Sequence, residues 1–266
     1  MPSWRTSTCR LTVSSAPDLT SRVFRHERLI VAGGVALLIL LLWLFVLGGA
    51  GMDQGGMTAM EAPPFSALVL MWWVMMAAMM LPSATPAILL YGRVREMRQC
   101  DPAIADTWVF TLGYLAIWLL VSLVAASAQW LLIGAAMTVS SPAAGAAVLV
   151  AAGFYQLSPL KSACVHECRS PAQFISRHWQ SGRSGAVRLG LLHGAYCVGC
   201  CWLLMALLFV GGVMNLLWVA VITGFVLLEK LLPRGRLVGR VAGLGLIIGG
   251  AFVLVAAQAS AGTMSQ

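Results

Sequence analysis

The chain has 266 residues, of which 60% are hydrophobic and 10% are charged, with a net charge of +8 and a mean hydropathy of +0.88. Soluble domains contain about 25% charged and 45–50% apolar residues. The composition therefore excludes a secreted enzyme, a cytosolic nucleic-acid-binding protein and a disordered protein, and it predicts an all-α polytopic bundle of transmembrane helices.

Seven apolar runs divide the sequence. A bilayer helix uses about 20 apolar residues, so we expect each run to form one span of a transmembrane domain at 29–258. The first run is longer than the apolar region of a signal peptide, which predicts that it is retained. A cytoplasmic segment at 1–28 would precede this domain and a short tail at 259–266 would follow it. The runs lie at about 29–49, 65–90, 107–132, 143–157, 187–213, 216–232 and 241–258, and the fourth is the shortest.

All seventeen Lys and Arg residues fall in alternate segments between these runs. Positive charge concentrates on the cytoplasmic side of a membrane, which predicts that the N-terminus is inside and the C-terminus outside. The segment at 50–64 would then be external, and the larger loop at 158–186 would be cytoplasmic.

The external segment reads GMDQGGMTAMEAPP and contains Met52, Met57 and Met60 beside two acidic residues. These thioethers could capture a metal ion outside the membrane. A flexible glycine-rich connector explains the segment equally well, because the whole chain is rich in methionine.

The second span reads MWWVMMAAMMLPSATPAILLY, and its methionines recur at helical spacing. Methionine sulfur binds Cu(I) and hardly binds Zn(II), so the stripe would indicate copper. Plain packing is the competing interpretation, because methionine fills irregular gaps in cores. Pro82 and Pro86 interrupt the span, as expected where a helix lines a cavity. The methionines are Met71, Met75, Met76, Met79 and Met80.

The loop after the fourth span reads YQLSPLKSACVHECRSPAQF, where Cys164 and Cys168 flank His166 and Glu167. If this segment is helical, the two thiols share a face. Such a pair suits metal transfer or a redox couple, because a structural disulfide does not persist in a reducing cytoplasm.

The fifth span reads LGLLHGAYCVGCCWLLM and places His193, Cys197, Cys200 and Cys201 along one helical face. Thiolates and imidazole suit a soft or borderline ion such as Cu(I) or Zn(II). Adjacent cysteines are expected to diverge, so one of Cys200 and Cys201 would be structural. The alternative is that these cysteines serve as small buried hydrophobes.

Glu229 and Lys230 lie at the cytoplasmic end of the sixth span, where an interfacial ion pair is expected to be more common than a functional role. The sequence contains no P-loop, GxGxxG, HExxH or Ser/His/Asp arrangement, which disfavours nucleotide-driven pumping and nucleic-acid binding.

Three of these strings together, AMMLPSATP, YQLSPLKSACVHECRSP and HGAYCVGCCWLLM, resemble the bacterial family described as predicted metal-binding integral membrane proteins, a domain of unknown function. The resemblance covers about residues 65–235, and the YCxGCCW segment is its most specific part. It implies metal binding in the bacterial inner membrane without naming the metal. The positions it implicates are Met79, Met80, Pro82, Lys161, Cys164, Cys168, Arg169, Tyr196, Cys197, Cys200, Cys201 and Trp202.

The leading hypothesis is a multi-pass inner-membrane protein that binds Cu(I), with Zn(II) as the less favoured ion, and moves or delivers it across the membrane. Its partners would be the metal ion, the lipid bilayer and a metallochaperone or membrane complex. One alternative is a membrane thiol oxidoreductase. Another is an accessory subunit of a membrane metalloenzyme complex. If such a subunit held a b-type haem, two membrane histidines would be needed as ligands, and only His193 lies within a span. The expectation leans against an enzyme.

Overall fold

The computed structural model describes residues 17–48, 64–99, 103–133, 141–213 and 215–263, and in these ranges the regular elements are helices without strands. The all-α prediction is therefore confirmed. Met52, Met57 and Met60 lie outside the described residues. The helices are α1 (Pro17–Leu47), α2 (Phe65–Gln99), α3 (Ile104–Ala128, continued by a π-helical turn at Gln129–Ile133), α4 (Pro142–Leu157), α5 (Pro159–Arg169), α6 (Pro171–His178), α7 (Gly182–Ala206), α8 (Leu208–Gly211), α9 (Leu216–Leu231) and α10 (Gly235–Thr263).

Within the described ranges, five helical segments are long and apolar enough to cross a bilayer. A sixth results if α4 and α5, which meet at an angle of 64°, are taken as one broken span. The remaining apolar run forms α9, whose 16 residues are fewer than the roughly 20 that a bilayer helix uses. The five segments are Arg28–Leu47, Phe65–Arg98, Ile104–Leu131, Gly182–Gly211 and Gly235–Ala259.

The segment expected to be a cytoplasmic loop forms two helices, α5 and α6, over much of its length. Each begins with a proline that follows a serine, and the Ser158 hydroxyl accepts a hydrogen bond of 3.1 Å from the backbone of Lys161. Proline at the first helical position and serine before it are start signals for helices. The first of these Ser-Pro pairs lies at the 64° bend between α4 and α5, and the second separates α5 from α6.

Glycines let α3 and α7 approach closely. A Cβ on Gly190 would lie 2.1 Å from the backbone oxygen of Phe110, and one on Gly113 would lie 2.7 Å from that of Val187. Gly194, one turn after Gly190, packs against Ile117 in the same way. Small residues four apart are typical of helix pairs in membranes, because they bring the two backbones together. This contact fixes the position of α7 beside the centre of the bundle.

Helix α2 runs through the core, and the side chains of Met71, Met76 and Met80 are at most 1% exposed. It remains continuous through Pro82 and Pro86. Side-chain hydroxyls next to these prolines make further hydrogen bonds to the backbone of α2. Here Ser83 donates to the carbonyl of Met80 at 2.8 Å, and Tyr114 of α3 donates to the same oxygen at 3.2 Å. These bonds fix α2 at the point where Met80 faces α7.

Candidate metal centre

Three thiols of α7 form a compact cluster in the protein interior. The sulfur atoms of Cys197, Cys200 and Cys201 lie within 4.8 Å of one another, and each residue is 1% exposed. Cys200 and Cys201 both direct their thiols to the backbone oxygen of Cys197, at 2.9 and 3.0 Å. The expectation that one of the adjacent cysteines would diverge is wrong, because both can turn back toward the preceding helical turn.

A thioether from another helix completes one side of the cluster. The sulfur of Met80 lies 3.8 Å from the sulfur of Cys201, 121 positions further along the chain. Met75, Met76 and Met79 are also buried in the surrounding core, each at most 2% exposed. Met80, at the end of the methionine stripe, is thus brought to the thiols, whereas these three methionines are part of the buried core.

Helix α5 contributes a fourth thiol. The thiol of Cys168 lies near the thiols of both Cys197 and Cys200. Cys164, one turn earlier, packs against α7 so closely that a Cβ on Gly199 would lie 2.8 Å from its sulfur. Both cysteines are partly buried, and both face α7, as the spacing predicts for a helix. His166 lies between them in sequence but is 43% exposed in its side chain and 3.8 Å from Glu167.

A buried lysine and a tyrosine also contact the cluster. The ammonium nitrogen of Lys230 lies 3.0 Å from the sulfur of Cys197 and 3.1 Å from the hydroxyl of Ser83. The hydroxyl of Tyr114 lies 3.2 Å from the same sulfur. In the described ranges no carboxylate is within salt-bridge distance of Lys230. The sulfur of Cys197 is positioned to balance the charge of this ammonium as a thiolate.

The interfacial ion pair expected between Glu229 and Lys230 is not present. Neighbouring residues on a helix project in different directions and do not face each other. Glu229 instead pairs with Lys161 of α5 at 2.7 Å, and both are buried. Lys161 also donates to Gln156 of α4. The role of Lys230 could be anticipated from the sequence only through this offset, because two adjacent charges on one helix cannot face the same partner.

His193 lies one turn before Cys197 but outside the thiol cluster. Its ring is 2% exposed and packs against Phe110, Tyr114 and Phe174, with centroid distances of 6.0, 5.8 and 5.3 Å. Its Nδ1 atom has no hydrogen-bond partner among the described residues. An aromatic cage of this kind holds the imidazole beside the cluster, at the end nearer the N-terminus of α7.

The donor atoms that meet at this centre are soft. Thiolates and thioethers select Cu(I), whereas Zn(II) takes thiolates, imidazole and carboxylates but rarely a thioether. The three thiols of α7 and the thioether of Met80 lie together, and the thiol of Cys168 lies next to them. Almost all of these sulfur atoms are shielded from water, so water would not compete with them for a bound ion. The arrangement is suited to holding a monovalent soft metal ion.

Comparison with known proteins yields one family. The family model described as "PpoB2: Copper chaperone" matches residues 69–253. The matched range begins in α2 and ends in α10, so it includes every residue of the cluster. No curated protein and no solved structure matches the chain.

Proposed function

Since the chain belongs to the PpoB2 copper chaperone family, we propose that it is an integral membrane protein that binds Cu(I) at the thiol cluster and moves or delivers it across the membrane. Copper is the cargo in this proposal. The primary ligands are drawn from Cys197, Cys200 and Cys201, with Met80 as a thioether ligand. Cys168 is the neighbouring thiol to which the ion passes.

The single observation that carries this proposal is that the thioether of Met80 in α2 lies against the thiols of α7. Three thiols within 4.8 Å of one another could serve several soft or borderline ions. The sulfur of Met80, at 3.8 Å from Cys201, favours copper among them, because thioethers are ligands for Cu(I) and poor ligands for Zn(II).

The charge of Lys230 suits a monovalent ion held by two thiolates. The charges of two thiolates, one Cu(I) ion and one ammonium group sum to zero. Uncompensated charge in an apolar interior is costly, and a paired charge is much less so. Lys230 contacts Cys197 directly and lies within electrostatic reach of Cys168, Cys200 and Cys201. We therefore assign it as the resident counter-charge of the site.

A path out of the cluster leads along α5. The α7 thiols are 1% exposed, whereas Cys164 and Cys168 are only partly buried. His166 on the same helix reaches solvent. A ligand series of increasing exposure allows an ion to move by exchanging one sulfur at a time. In this proposal α5 releases or receives copper at the cytoplasmic surface.

The membrane arrangement that goes with this function has seven spans, with the N-terminus inside and the C-terminus outside. The alternation of the seventeen basic residues supports it, as do the five long apolar helical segments in the described ranges. Helix α9 would cross as a short span beside the core. Met52, Met57 and Met60 would then collect the ion on the external side.

Metal content tests the proposal. Protein purified in detergent would be loaded anaerobically with Cu(I), and separately with Zn(II), and analysed by mass spectrometry. We expect stoichiometric copper in the wild type and its loss in the C197S/C200S/C201S variant. A C9S/C100S variant is the matched control, because these two cysteines stand apart from the cysteine motifs of the sequence. Unchanged copper in the triple variant would refute the assignment of these ligands.

A thiol oxidoreductase is the second candidate, and Cys168 is the observation that favours it. A disulfide between cysteines four apart on one helix is strained, but Cys168 meets Cys197 and Cys200 from a different helix. Mass mapping after mild oxidation would detect such a bond. A reversible disulfide in protein that binds no copper would favour this second function over the first.

A further inference from the structure

A small cavity lies between α4, α5, α9 and α10, next to the buried ion pair of Lys161 and Glu229. Its volume is about 50 Å³, which exceeds the space that one water molecule requires. Gln156 and Lys161 line its inner part, and Arg236 and Arg240 of α10 line it as well. None of these residues belongs to the thiol cluster.

Gln156 presents an unpaired donor at this cavity. The residue is 5% exposed, and its side-chain oxygen accepts a hydrogen bond from Lys161. Its amide nitrogen, Nε2, is buried and has no partner among the described residues. Buried donors are nearly always hydrogen-bonded, because an unpaired one loses its contact with water without replacement. An acceptor atom in the cavity would satisfy this nitrogen.

Arg236 and Arg240 add positive charge without a partner of opposite sign. They are one helical turn apart and exposed, and no carboxylate in the described ranges lies within salt-bridge distance of either. Both are near the start of α10, where the helix dipole is positive, and the first turn of α10 has no acidic residue. Glu229 is already paired with Lys161, so the cavity carries an excess of two positive charges.

We propose that this cavity binds the phosphate group of an anionic ligand. A phosphate offers acceptor oxygens to Gln156 Nε2 and to two guanidinium groups, which recognise phosphate in a planar, bidentate manner. The source is an anionic phospholipid headgroup or free inorganic phosphate. Basic pockets between helices on the cytoplasmic side of a membrane are suited to lipid headgroups. The inference does not depend on the copper proposal.

Full-length protein in detergent tests the site in two arms. Native mass spectrometry measures retention of phosphatidylglycerol, with phosphatidylcholine as the lipid without net charge. Isothermal titration calorimetry measures binding of inorganic phosphate. We expect R236Q/R240Q to weaken binding about tenfold, because each basic residue near an anionic surface contributes appreciably. The control R183Q/R188Q removes the same charge from two exposed arginines of α7 and should leave binding unchanged.

A second variant probes the buried donor. Gln156→Glu keeps an oxygen acceptor for Lys161 but replaces the unpaired amide nitrogen with a carboxylate oxygen. It should abolish binding while the protein still elutes as the wild type does in size exclusion. Loss of phosphatidylglycerol retention in both site variants supports a lipid source, and loss of phosphate binding alone supports a free anion. Equal loss in R183Q/R188Q, or no binding of either ligand by the wild type, overturns the proposal.

Discussion

The ammonium nitrogen of Lys230 lies 3.0 Å from the sulfur of Cys197, so a charged residue of α9 contacts a thiol of α7 inside the bundle. Lys230 is 7% exposed. A buried ammonium without a carboxylate partner is costly unless another anionic group faces it. This contact places a positive charge beside the cluster. It distinguishes this centre from a metal site that consists of sulfur ligands alone.

Replacing Lys230 with leucine should weaken Cu(I) binding by at least about tenfold, because loss of one partner of a buried charge pair costs about 2 kcal/mol or more. Leucine removes the charge without adding a sulfur ligand. Lys230→Arg retains the charge and should lose less. Competition with a Cu(I) chelator measures both affinities. The control Arg188→Leu removes the charge of an exposed arginine and should match the wild type. An unchanged affinity in Lys230→Leu would exclude the counter-charge role.

Replacing Met80 with leucine should lower the affinity for Cu(I) and leave the affinity for Zn(II) unchanged. Leucine retains the size and apolar character of methionine but has no sulfur. Met71→Leu is the matched control, because Met71 is equally buried on the same helix. Separate titrations with each metal measure the difference. Parallel losses for both metals would indicate that Met80 acts through packing.

Replacing Cys168 with serine should leave copper stoichiometry unchanged and slow copper release to a competing chelator several-fold. The three α7 thiols remain, but the next sulfur on the path is missing. Stopped-flow transfer measurements compare this variant with Cys9→Ser. Loss of bound copper in Cys168→Ser would instead place Cys168 among the primary ligands.

Replacing Gly190 with alanine should destabilise the contact between α3 and α7. The added Cβ would lie 2.1 Å from the backbone oxygen of Phe110, and overpacking of this kind costs about 1–3 kcal/mol. We expect the thermal unfolding midpoint in detergent to fall by about 5 °C. Gly245→Ala is the control, because nothing lies within 4 Å of its added Cβ. Equal unfolding midpoints for the two variants would show that α3 and α7 accommodate the added methyl group without loss of stability.

Much of the helical architecture is predictable from the sequence. The apolar runs are long, and each of the seven overlaps one or more helices of the described residues. The spacing of Cys197, Cys200 and Cys201 predicted a shared helical face, and their sulfur atoms do lie together. Periodicity is reliable here because it depends on one helix at a time.

The contacts between helices could not be predicted in the same way. Whether Met80 or Met76 meets the thiols depends on how α2 is rotated against α7, which periodicity does not determine. The segment at 158–186 is predicted as a cytoplasmic loop from the topology, although the Ser-Pro starts of α5 and α6 are visible in it. The position of Lys230 at the end of a span predicts an interfacial side chain. Its contact with Cys197, 33 residues away in sequence, depends on how α9 packs against α7.

X-ray absorption at the copper edge of Cu(I)-loaded protein is the decisive measurement, because it identifies the atoms bound to the metal. We expect a shell of sulfur alone in the wild type, with fewer sulfur neighbours in Met80→Leu. A shell dominated by nitrogen or oxygen ligands, or an identical spectrum from the C197S/C200S/C201S variant, would contradict this expectation.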